Sequence, residues 1–391
     1  MAVKFMSYEV SDLCIGKPAL RALPISSTVG EALLVLKQCG DTYVSVWTSD
    51  RSAPVKKAFA GKLCMVDILC YLCAEENISS PVAALKNPVS ALLSKETAAL
   101  MRRVESHSRV LDALNLLLEG AHILWVPIRS FAGRKKLGGS GGSSGEFCWL
   151  TQEDFVRFFF NSIAIFSPIA ALSVTELGLV RSADVLSVHY HDAALSFLPL
   201  IRRALVEQTS VAVVTDDHKL IGEISPSTLA GCDESVAAAI AALSAGDLMA
   251  YIDWCASPPD AAVRTVKSIL KEKGMQGMLE LMQGELSPPM FSSSSSTSSA
   301  SSSSDEEGEK LRRPRRTRWM GSYSARMGRR SEEAIVCHPG SSLVAVMVQA
   351  LAHRVGYVWV VEEDYSLVGI VVFREILKVF REQLVQAEEL L

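Results

Sequence analysis

Residues 341–372 read SSLVAVMVQALAHRVGYVWVVEEDYSLVGIVV, and this stretch decides the fold. It begins with small polar residues, continues through an apolar run with helical spacing, and reaches a β-like run at 356–361. An acidic turn at 362–364 leads to a second β-like run at 367–371 and then to an amphipathic helix. Two apolar runs joined by an Asp/Glu turn are typical of a β-hairpin. The stretch therefore predicts an opening helix, a hairpin and a closing helix.

Three fainter copies of this unit lie upstream. Their opening helices are predicted at 29–36, 110–118 and 192–205. Their β-like runs are 43–47 with 58–64, 122–128 with 146–150, and 210–214 with 220–224. Repetition of one unit indicates that the fold consists of several copies of the same small structure. Because each unit is too small to bury its sheet alone, we expect the units to pair sheet to sheet.

The unit ends in the pattern Gly–apolar–apolar–Thr/Ser–x–x–Asp and resembles the CBS (cystathionine β-synthase) domain. Four copies without a catalytic domain resemble the plant CBS-domain-only proteins (CBSX type). They are also similar to the gamma regulatory subunits of AMP-activated and sucrose-non-fermenting-type kinases. The resemblance implies an α+β fold of four βαββα repeats, paired into two Bateman modules. The repeats are placed at 10–75, 92–162, 180–250 and 334–385.

The resemblance also implies that adenosyl ligands bind in clefts between paired repeats. In the family signature the hydroxyl bonds the ribose-phosphate and the aspartate accepts both ribose hydroxyls, as a carboxylate can. Repeat two has both members, Thr151 and Asp154. Repeat one keeps Asp67 but has Cys64 in place of the hydroxyl.

The other two repeats depart further from the signature. Repeat three keeps the hydroxyl as Ser225 but has Thr228 in place of the acid, and repeat four has Val372 and Glu375. The ligand-binding candidates are therefore Asp154, Thr151, Asp67, Ser225 and Glu375. A second interpretation of Thr151 and Asp154 is a helix start, with threonine as N-cap and aspartate in the first turn.

Basic residues near the clefts would have to hold the phosphates of such a ligand. His107 and Arg109, at the start of the opening helix of repeat two, are the candidates, with a solvated surface role as the alternative.

These patterns predict a non-catalytic regulatory protein that binds an adenine nucleotide of the AMP, ADP or ATP type. The nucleotide would be a regulatory ligand rather than a cofactor, and would modulate a protein partner such as a protein kinase. The alternative is a scaffold with degenerate nucleotide sites that acts by protein–protein interaction only. We find no Gly-rich phosphate loop, nucleophile elbow, zinc-type His/Cys cluster or pair of catalytic carboxylates, which argues against an enzyme and against a metal site. The sequence leaves a homodimer open.

The segment 255–333 is predicted to be a linker, helical over 262–283 and disordered over 285–333, because its serine run and segregated charges cannot form a core. A Gly/Ser loop at 132–145 is predicted to be a flexible hairpin extension. Acid-directed kinases would recognise Ser302, Ser303 and Ser304, and a base-directed kinase would recognise Ser331. Phosphates there would face the arginine block at 310–318. A solvated tether without function is the alternative.

Charge and cysteine usage limit the compartment and the partners. A net charge of −4 gives no general attraction to nucleic acid, and nine scattered cysteines suit a reducing compartment. The N-terminus lacks the features of a signal or transit peptide. Residues 158–175 carry no charge over a length that could span a membrane. Ser167-Pro168 within this stretch is typical of a helix start, so we expect two short buried helices instead. The protein is predicted to be cytoplasmic and not membrane-bound, and the basic run 310–318 leaves nuclear entry open.

Overall fold

The structure is a computed structural model that describes residues 7–39, 42–49, 57–93, 100–128, 146–253, 258–283 and 334–389. The Gly/Ser loop 132–145, the segment 285–333 and the four candidate phosphorylation sites Ser302, Ser303, Ser304 and Ser331 lie outside the described residues. The predictions made for them therefore remain predictions.

Each repeat forms one three-stranded sheet. Its first strand pairs parallel with its second, and its second pairs antiparallel with its third. The strands of the described chain are β1 Ala22–Pro24, β2 Tyr43–Ser49, β3 Lys57–Cys64, β4 Met101–Arg103, β5 Ile123–Ile128, β6 Glu146–Thr151, β7 Ser187–His189, β8 Val211–Val214, β9 Leu220–Ile224, β10 Val336–Cys337, β11 Tyr357–Val361 and β12 Leu367–Val372.

Helices connect and flank these strands. They are α1 Val10–Leu13, α2 Val29–Cys39, α3 Met65–Leu72, α4 Pro81–Ala84, α5 Val110–Leu118, α6 Gln152–Phe160, α7 Ser167–Ala170, α8 Leu198–Glu207, α9 Pro226–Leu229, α10 Ser235–Ala242, α11 Ala245–Asp253, α12 Asp260–Glu272, α13 Gln276–Gln283, α14 Leu343–His353 and α15 Phe373–Glu389. The parallel strand pair of each repeat is bridged by its opening helix, as parallel pairing requires a crossover. The predicted α+β fold of four βαββα repeats is confirmed.

Repeats one and two pair through their sheets and form the first module. The Trp47 ring stacks on Phe147 at 5.2 Å, and the Phe59 ring stacks on Trp125 at 5.4 Å. Trp47 and Phe59 lie on β2 and β3, whereas Phe147 and Trp125 lie on β6 and β5. This seam is therefore built from aromatic rings.

Repeats three and four form the second module, and its seam is polar. Glu223 on β9 is buried, with 5% of its surface exposed. Its carboxylate accepts the Tyr357 hydroxyl at 3.0 Å and the Trp359 indole N–H at 2.6 Å, both from β11. The turns of the two hairpins also meet, where the Leu220 N–H donates to the Tyr365 carbonyl at 2.9 Å.

The two modules contact each other through their helices. Helices of repeat one pack against those of repeat three, and helices of repeat two pack against those of repeat four. One core contains buried residues of repeats one and three, and the other contains mainly those of repeats two and four, together with Ala212, Val214 and Leu220 of repeat three. Phe159 of repeat two stacks on Phe380 of repeat four with ring centroids 4.8 Å apart. The Cys73 thiol of repeat one donates to the Ala237 carbonyl of α10 at 3.4 Å. Each repeat therefore has one partner through its sheet and another through its helices.

The segment that precedes each repeat binds the other repeat of the same module. At the very start of repeat one, the Val10 N–H donates to the Ser108 carbonyl of repeat two at 2.9 Å. Ahead of repeat two, the Asn87 carbonyl accepts the Val29 N–H of repeat one at 2.8 Å. In the second module, segments near residues 174 and 245 exchange in the same way. Repeats within a module are thus interlocked and not merely stacked.

Helices α10, α12 and α13 pack on one another beside repeat one, whereas α11 packs on the sheet of repeat three. The whole run Val236–Ala242 of α10 is buried, and Lys273 Nζ donates to the carbonyls of Ala241 and Ala242 at its end, at 3.2 and 3.1 Å. Gly277 in α13 packs so closely that an added Cβ would lie 2.2 Å from the Ser79 carbonyl oxygen. Residues 258–283, which lie within the predicted linker, are therefore part of the folded core. No helix of the described chain combines the length and apolar character needed to cross a membrane.

Candidate functional site

In every repeat the third strand leads directly into the closing helix, and the signature residues lie at that junction. The junction residues are Cys64, Thr151, Ser225 and Val372. Three positions later stand Asp67, Asp154, Thr228 and Glu375. First-turn N–H groups of a helix have no partner within it, so acceptor side chains here are held in place by the backbone.

In repeat two the structure brings Thr151 and Asp154 together. The Thr151 N–H donates to Asp154 Oδ2 at 2.7 Å, and the Thr151 hydroxyl donates to the same oxygen at 2.9 Å. Lys17 Nζ lies 2.8 Å from Asp154 Oδ1 and 2.8 Å from Oδ2. A ligand hydroxyl would therefore compete with an ammonium group for both oxygens. The ribose-binding role of Thr151 and Asp154 stays a prediction.

In repeat one Asp67 lies in a different environment. Its Oδ2 accepts the Cys64 N–H at 2.8 Å. Burial raises the pKa of Asp67, and hydrogen bonds from Cys64 and the charges of Lys62 and Arg202 oppose this rise. Lys62 lies on β3 of the same repeat, and Arg202 lies on α8 of repeat three. Two cations from two different repeats therefore stabilise the negative charge of Asp67.

Lys62 on β3 is packed against an aromatic ring and is shielded from solvent. The Lys62 ammonium lies 4.2 Å from the centroid of the Tyr43 ring. Burial lowers the pKa of Lys62, and the charges of Cys64 and Asp67 oppose this fall. A carboxylate next to two cations combines an acceptor for hydroxyl groups with charges that attract an anion.

In repeat three the hydroxyl of Ser225 is used within the protein. Ser225 is buried, and its Oγ accepts the Thr228 N–H at 3.0 Å. The same Oγ lies 2.7 Å from Ser227 Oγ and 2.8 Å from Thr228 Oγ1. The hydroxyl groups satisfy one another, and no carboxylate stands where Thr228 is. A ligand role for Ser225 stays a prediction.

In repeat four Glu375 forms an ion pair with Lys378, which lies on the same helix, α15. Lys378 Nζ lies 2.9 Å from Glu375 Oε1 and 2.8 Å from Oε2. Val372 at the junction offers no hydroxyl. The role predicted for Glu375 is likewise untested by the fold.

The predicted phosphate partners lie at the surface. His107 is exposed, and Arg109 Nε lies 3.4 Å from Asp112 Oδ2, with 62% and 57% of their side chains exposed. The cations that the structure places near a signature acid are instead Lys62, Arg202 and Lys17. No local sequence pattern identifies Lys17 or Arg202, because each reaches its acid through the tertiary fold, whereas Lys62 stands five residues before Asp67 on the strand that leads into the junction.

All four repeats meet around His122 of repeat two. Its carbonyl accepts Gln208 Nε2 of repeat three at 2.8 Å, and the nearby Leu118 carbonyl accepts an N–H of Arg374 of repeat four at 2.7 Å. Burial, with the charges of Lys62 and Arg374, lowers the pKa of His122 to about 4. The imidazole therefore stays neutral among cations at the centre of the molecule.

Three histidines gather at one end of repeat three. The rings of His189 and His191 lie 5.6 Å apart, and those of His189 and His218 lie 6.1 Å apart. Asp216 Oδ1 lies 3.7 and 3.6 Å from the Nδ1 atoms of His189 and His191. Across the residues that the structure describes, no three His, Cys, Asp or Glu side chains are arranged to hold a metal ion.

The fold and its signature positions can be compared with known proteins. The family model of the CBS domain matches residues 330–382. The chain is similar to the CBS domain-containing protein CBSX5 of Arabidopsis thaliana, at 45% identity over 97% of this chain and 98% of that protein. It is also similar to the SNF1-related protein kinase regulatory subunit gamma-like PV42b of the same plant, at 21% identity over 59% of this chain and 72% of that protein.

Among solved structures, protein MJ1225 of Methanocaldococcus jannaschii matches with a TM-score of 0.56 at 12% identity, covering 95% of this chain and 100% of that one. At that identity the likeness concerns the fold alone. The likeness to CBSX5 extends over nearly the whole of both chains, and the four interlocked repeats have the architecture that the resemblance implies. The protein belongs to the CBS domain-containing proteins of the CBSX type.

Proposed function

We propose that the protein is a non-catalytic regulator whose first module binds an adenine nucleotide and thereby changes the affinity for a protein partner. The observation that carries the proposal is Asp67, a part-buried acid at a helix start that faces Lys62 and Arg202 from two repeats. Acids whose pKa is perturbed by burial and by specific charges are enriched at binding sites. Asp67 would accept the ribose hydroxyls and the cations would attract the phosphates.

Asp154 is the second acid of the module and would bind a nucleotide less readily. Its two oxygens already bond Lys17 and Thr151, so a ribose would have to displace an ammonium group. Part-exposed ion pairs are worth only ~1 kcal/mol or less, so displacement is feasible. We therefore expect Asp67 to dominate affinity and Asp154 to contribute less.

The partner we propose is a protein kinase. This rests on the name of one relative, a kinase regulatory subunit gamma-like protein. Binding regulates only if the nucleotide prefers one of two states of the protein or complex. The junction around His122, where Gln208 and Arg374 of the second module bond the first, would carry such a change.

Isothermal titration of the full-length protein with AMP and with ATP tests nucleotide binding. We expect Asp67→Asn, which keeps the helix cap but loses the negative charge, to weaken binding about 10- to 150-fold. Asp154→Asn should have a smaller effect. Asp112→Asn is the matched control, because Asp112 is an exposed first-turn acid that pairs with Arg109, and it should bind like the wild type. Absence of heat with every adenine nucleotide would refute nucleotide binding.

The second candidate function is a scaffold that acts by protein–protein contacts only. The closed hydroxyl cluster at Ser225 and the ion pairs at Glu375 and Asp154 favour it. It predicts that no nucleotide changes the Tm, whereas a kinase still co-purifies with the wild type and with Asp67→Asn alike. Nucleotide-dependent loss or gain of the kinase would favour the first function instead.

A further inference from the structure

The second module has two equivalent helical faces, one on each of its repeats. In repeat four the Leu343 N–H, at the start of α14, donates to the Leu172 carbonyl at 2.9 Å. In repeat three the Ala194 N–H, at the start of the opening helical segment, donates to the Leu243 carbonyl at 3.0 Å. Leu172 follows α7, the connecting helix between repeats two and three, and Leu243 follows α10, the connecting helix between repeats three and four. The two leucines therefore occupy corresponding positions.

The two faces differ in what covers them. Leu243 is 8% exposed, and the adjoining helix α10 is covered by α12 and α13. These two helices contribute buried aliphatic and methionine side chains, among them Val266, Leu270 and Met278. Leu172 is 38% exposed, and within the described part of the chain no equivalent pair of helices packs on α7. One face of the module is thus covered and the other is not.

The uncovered face has exposed apolar side chains and no charge. Ile165, in the 3₁₀ turn before α7, is exposed, and Val348 on α14 is 46% exposed. Residues 158–175 and the whole of α14 contain no Asp, Glu, Lys or Arg. Ala345, Val348 and Ala352 are exposed at intervals of three and four residues, so they form a stripe along the outer side of α14.

The opening helices of the other repeats place charged residues at exposed positions. Glu31 on α2, Asp112 on α5 and Arg202 on α8 are all exposed. The outward side of a surface helix is normally polar or charged, and an exposed apolar patch marks an interaction site. An apolar outer side is therefore peculiar to α14 among these four helices, and α14 packs next to α7.

We propose that the exposed side of α7 and α14, here called the α7–α14 face and comprising Ile165, Leu172 and Val348, docks an amphipathic helix of a protein partner. The occupant is inferred from the equivalent face, where the chain itself supplies such a helix. There α12 packs its aliphatic side against α10 and exposes Arg264 and Lys271 to solvent. A partner helix with apolar residues every three to four positions would cover the α7–α14 face in the same way.

The chemistry of the face favours a protein over a membrane. Helices that lie on anionic lipid carry lysine and arginine beside their apolar side, and neither α7 nor α14 contains these residues. Docking on this face goes beyond the proposed function, because it requires neither a nucleotide nor a kinase. It also leaves Asp67 and Asp154 of the first module untouched.

Fluorescence anisotropy with a labelled peptide of residues 258–283 tests the proposal. This segment forms α12 and α13, and in the full-length protein its own copy still covers α10. We expect the peptide to bind the full-length wild type saturably. Val348→Asp and Leu172→Asp should each weaken binding at least about 10-fold, because the contact would remove a carboxylate from water.

Two controls separate docking from other effects. Val206→Asp is the matched variant, because Val206 is an exposed valine on α8, the opening helix of repeat three, and it should bind the peptide like the wild type. A peptide with Val266→Asp and Leu270→Asp should not bind. Because Leu172 and Val348 are exposed, their variants should keep the Tm of the wild type within about 2 °C.

Four results would overturn the proposal. The first is no saturable binding of the peptide, or binding that Val348→Asp and Leu172→Asp leave unchanged. The second is a wild-type dimer in light scattering that Leu172→Asp converts to a monomer, because a second copy would then cover the face. The third is binding to phosphatidylcholine vesicles that Val348→Asp abolishes. The fourth is peptide binding only after deletion of residues 285–331, because the chain would then cover the face itself. None of these results bears on nucleotide binding.

Discussion

The seams of the two modules join the same kind of sheets with opposite chemistry. In the first module the seam includes Phe59 stacked on Trp125 at 5.4 Å. In the second module the buried Glu223 carboxylate accepts bonds from Tyr357 and Trp359 of the other repeat. Aromatic contact tolerates small shifts between the sheets, whereas a buried carboxylate with two donors fixes their positions.

The two modules also differ in the residues at the position of the signature acid. The first module keeps an aspartate in both repeats, Asp67 and Asp154, and the second has Thr228 and Glu375 in their place. The module with the rigid polar seam is therefore the one whose ligand positions are altered. We infer that the second module acts mainly as a structural clamp, while the first is available for a ligand.

The largest effect is expected at the polar seam. Glu223→Ala leaves the Tyr357 hydroxyl and the Trp359 indole N–H without their acceptor inside the protein. We expect a loss of about 3–5 kcal/mol in the apparent free energy of unfolding, because unsatisfied buried donors lose their full hydration. Urea unfolding followed by circular dichroism measures it.

Glu223→Gln is the matched control for this change. Its amide oxygen still accepts one donor, so the loss should be about half as large. A loss below about 1 kcal/mol in Glu223→Ala would contradict the view that this carboxylate holds the second module together.

The aromatic seam should give a smaller effect. Trp125→Leu removes the stack on Phe59 and the edge contact with Trp47 at 6.0 Å, but leaves an apolar side chain. We expect a loss of about 2 kcal/mol, measured by the same unfolding experiment.

The control for the aromatic seam is Tyr190→Leu. Tyr190 is an exposed aromatic residue, with 44% of its surface accessible, outside both seams. It should change stability by less than about 0.5 kcal/mol. Equal losses in Trp125→Leu and Tyr190→Leu would show that the rings at the first seam do not join its repeats.

The sequence predicts the parts of the fold that depend on local pattern. Each hairpin appears near its predicted position because apolar alternation and acidic turns are local signals, as at 357–361 and 367–372. Strand β10, Val336–Cys337, is too short to leave a periodic signal. The exchange of leading segments is also invisible in the sequence, because it depends on the packing of one repeat against another.

The candidate site shows the same limit. The positions of Thr151 and Asp154 at a helix start follow from their spacing, and the structure has them in one capping arrangement. The cations beside the acids do not follow from spacing. Lys17 reaches Asp154 across 137 positions of the chain, and Arg202 approaches Asp67 from repeat three. Tertiary contacts over such separations have no local signature.

The smallest effect concerns the place where the modules meet, and it depends on pH. Burial and neighbouring cations lower the pKa of His122 from 6.5 to about 4. Between these values the unfolded chain binds a proton that the folded protein does not, so His122 makes stability fall as pH falls. We expect this contribution to reach about 1 kcal/mol at pH 5, after allowance for the solvent-accessible part of the ring.

His122→Gln should remove this part of the pH dependence, so that its stability decreases less between pH 7 and pH 5 than that of the wild type. Denaturant unfolding at a series of pH values measures the difference. His107→Gln is the control, because His107 is exposed, and it should leave the pH profile unchanged. An unaltered profile in His122→Gln would mean that neither burial nor the charges of Lys62 and Arg374 lower the pKa of His122 in the folded protein. The first and second modules would then meet there through the bonds of Gln208 and Arg374 alone, without electrostatic coupling between them.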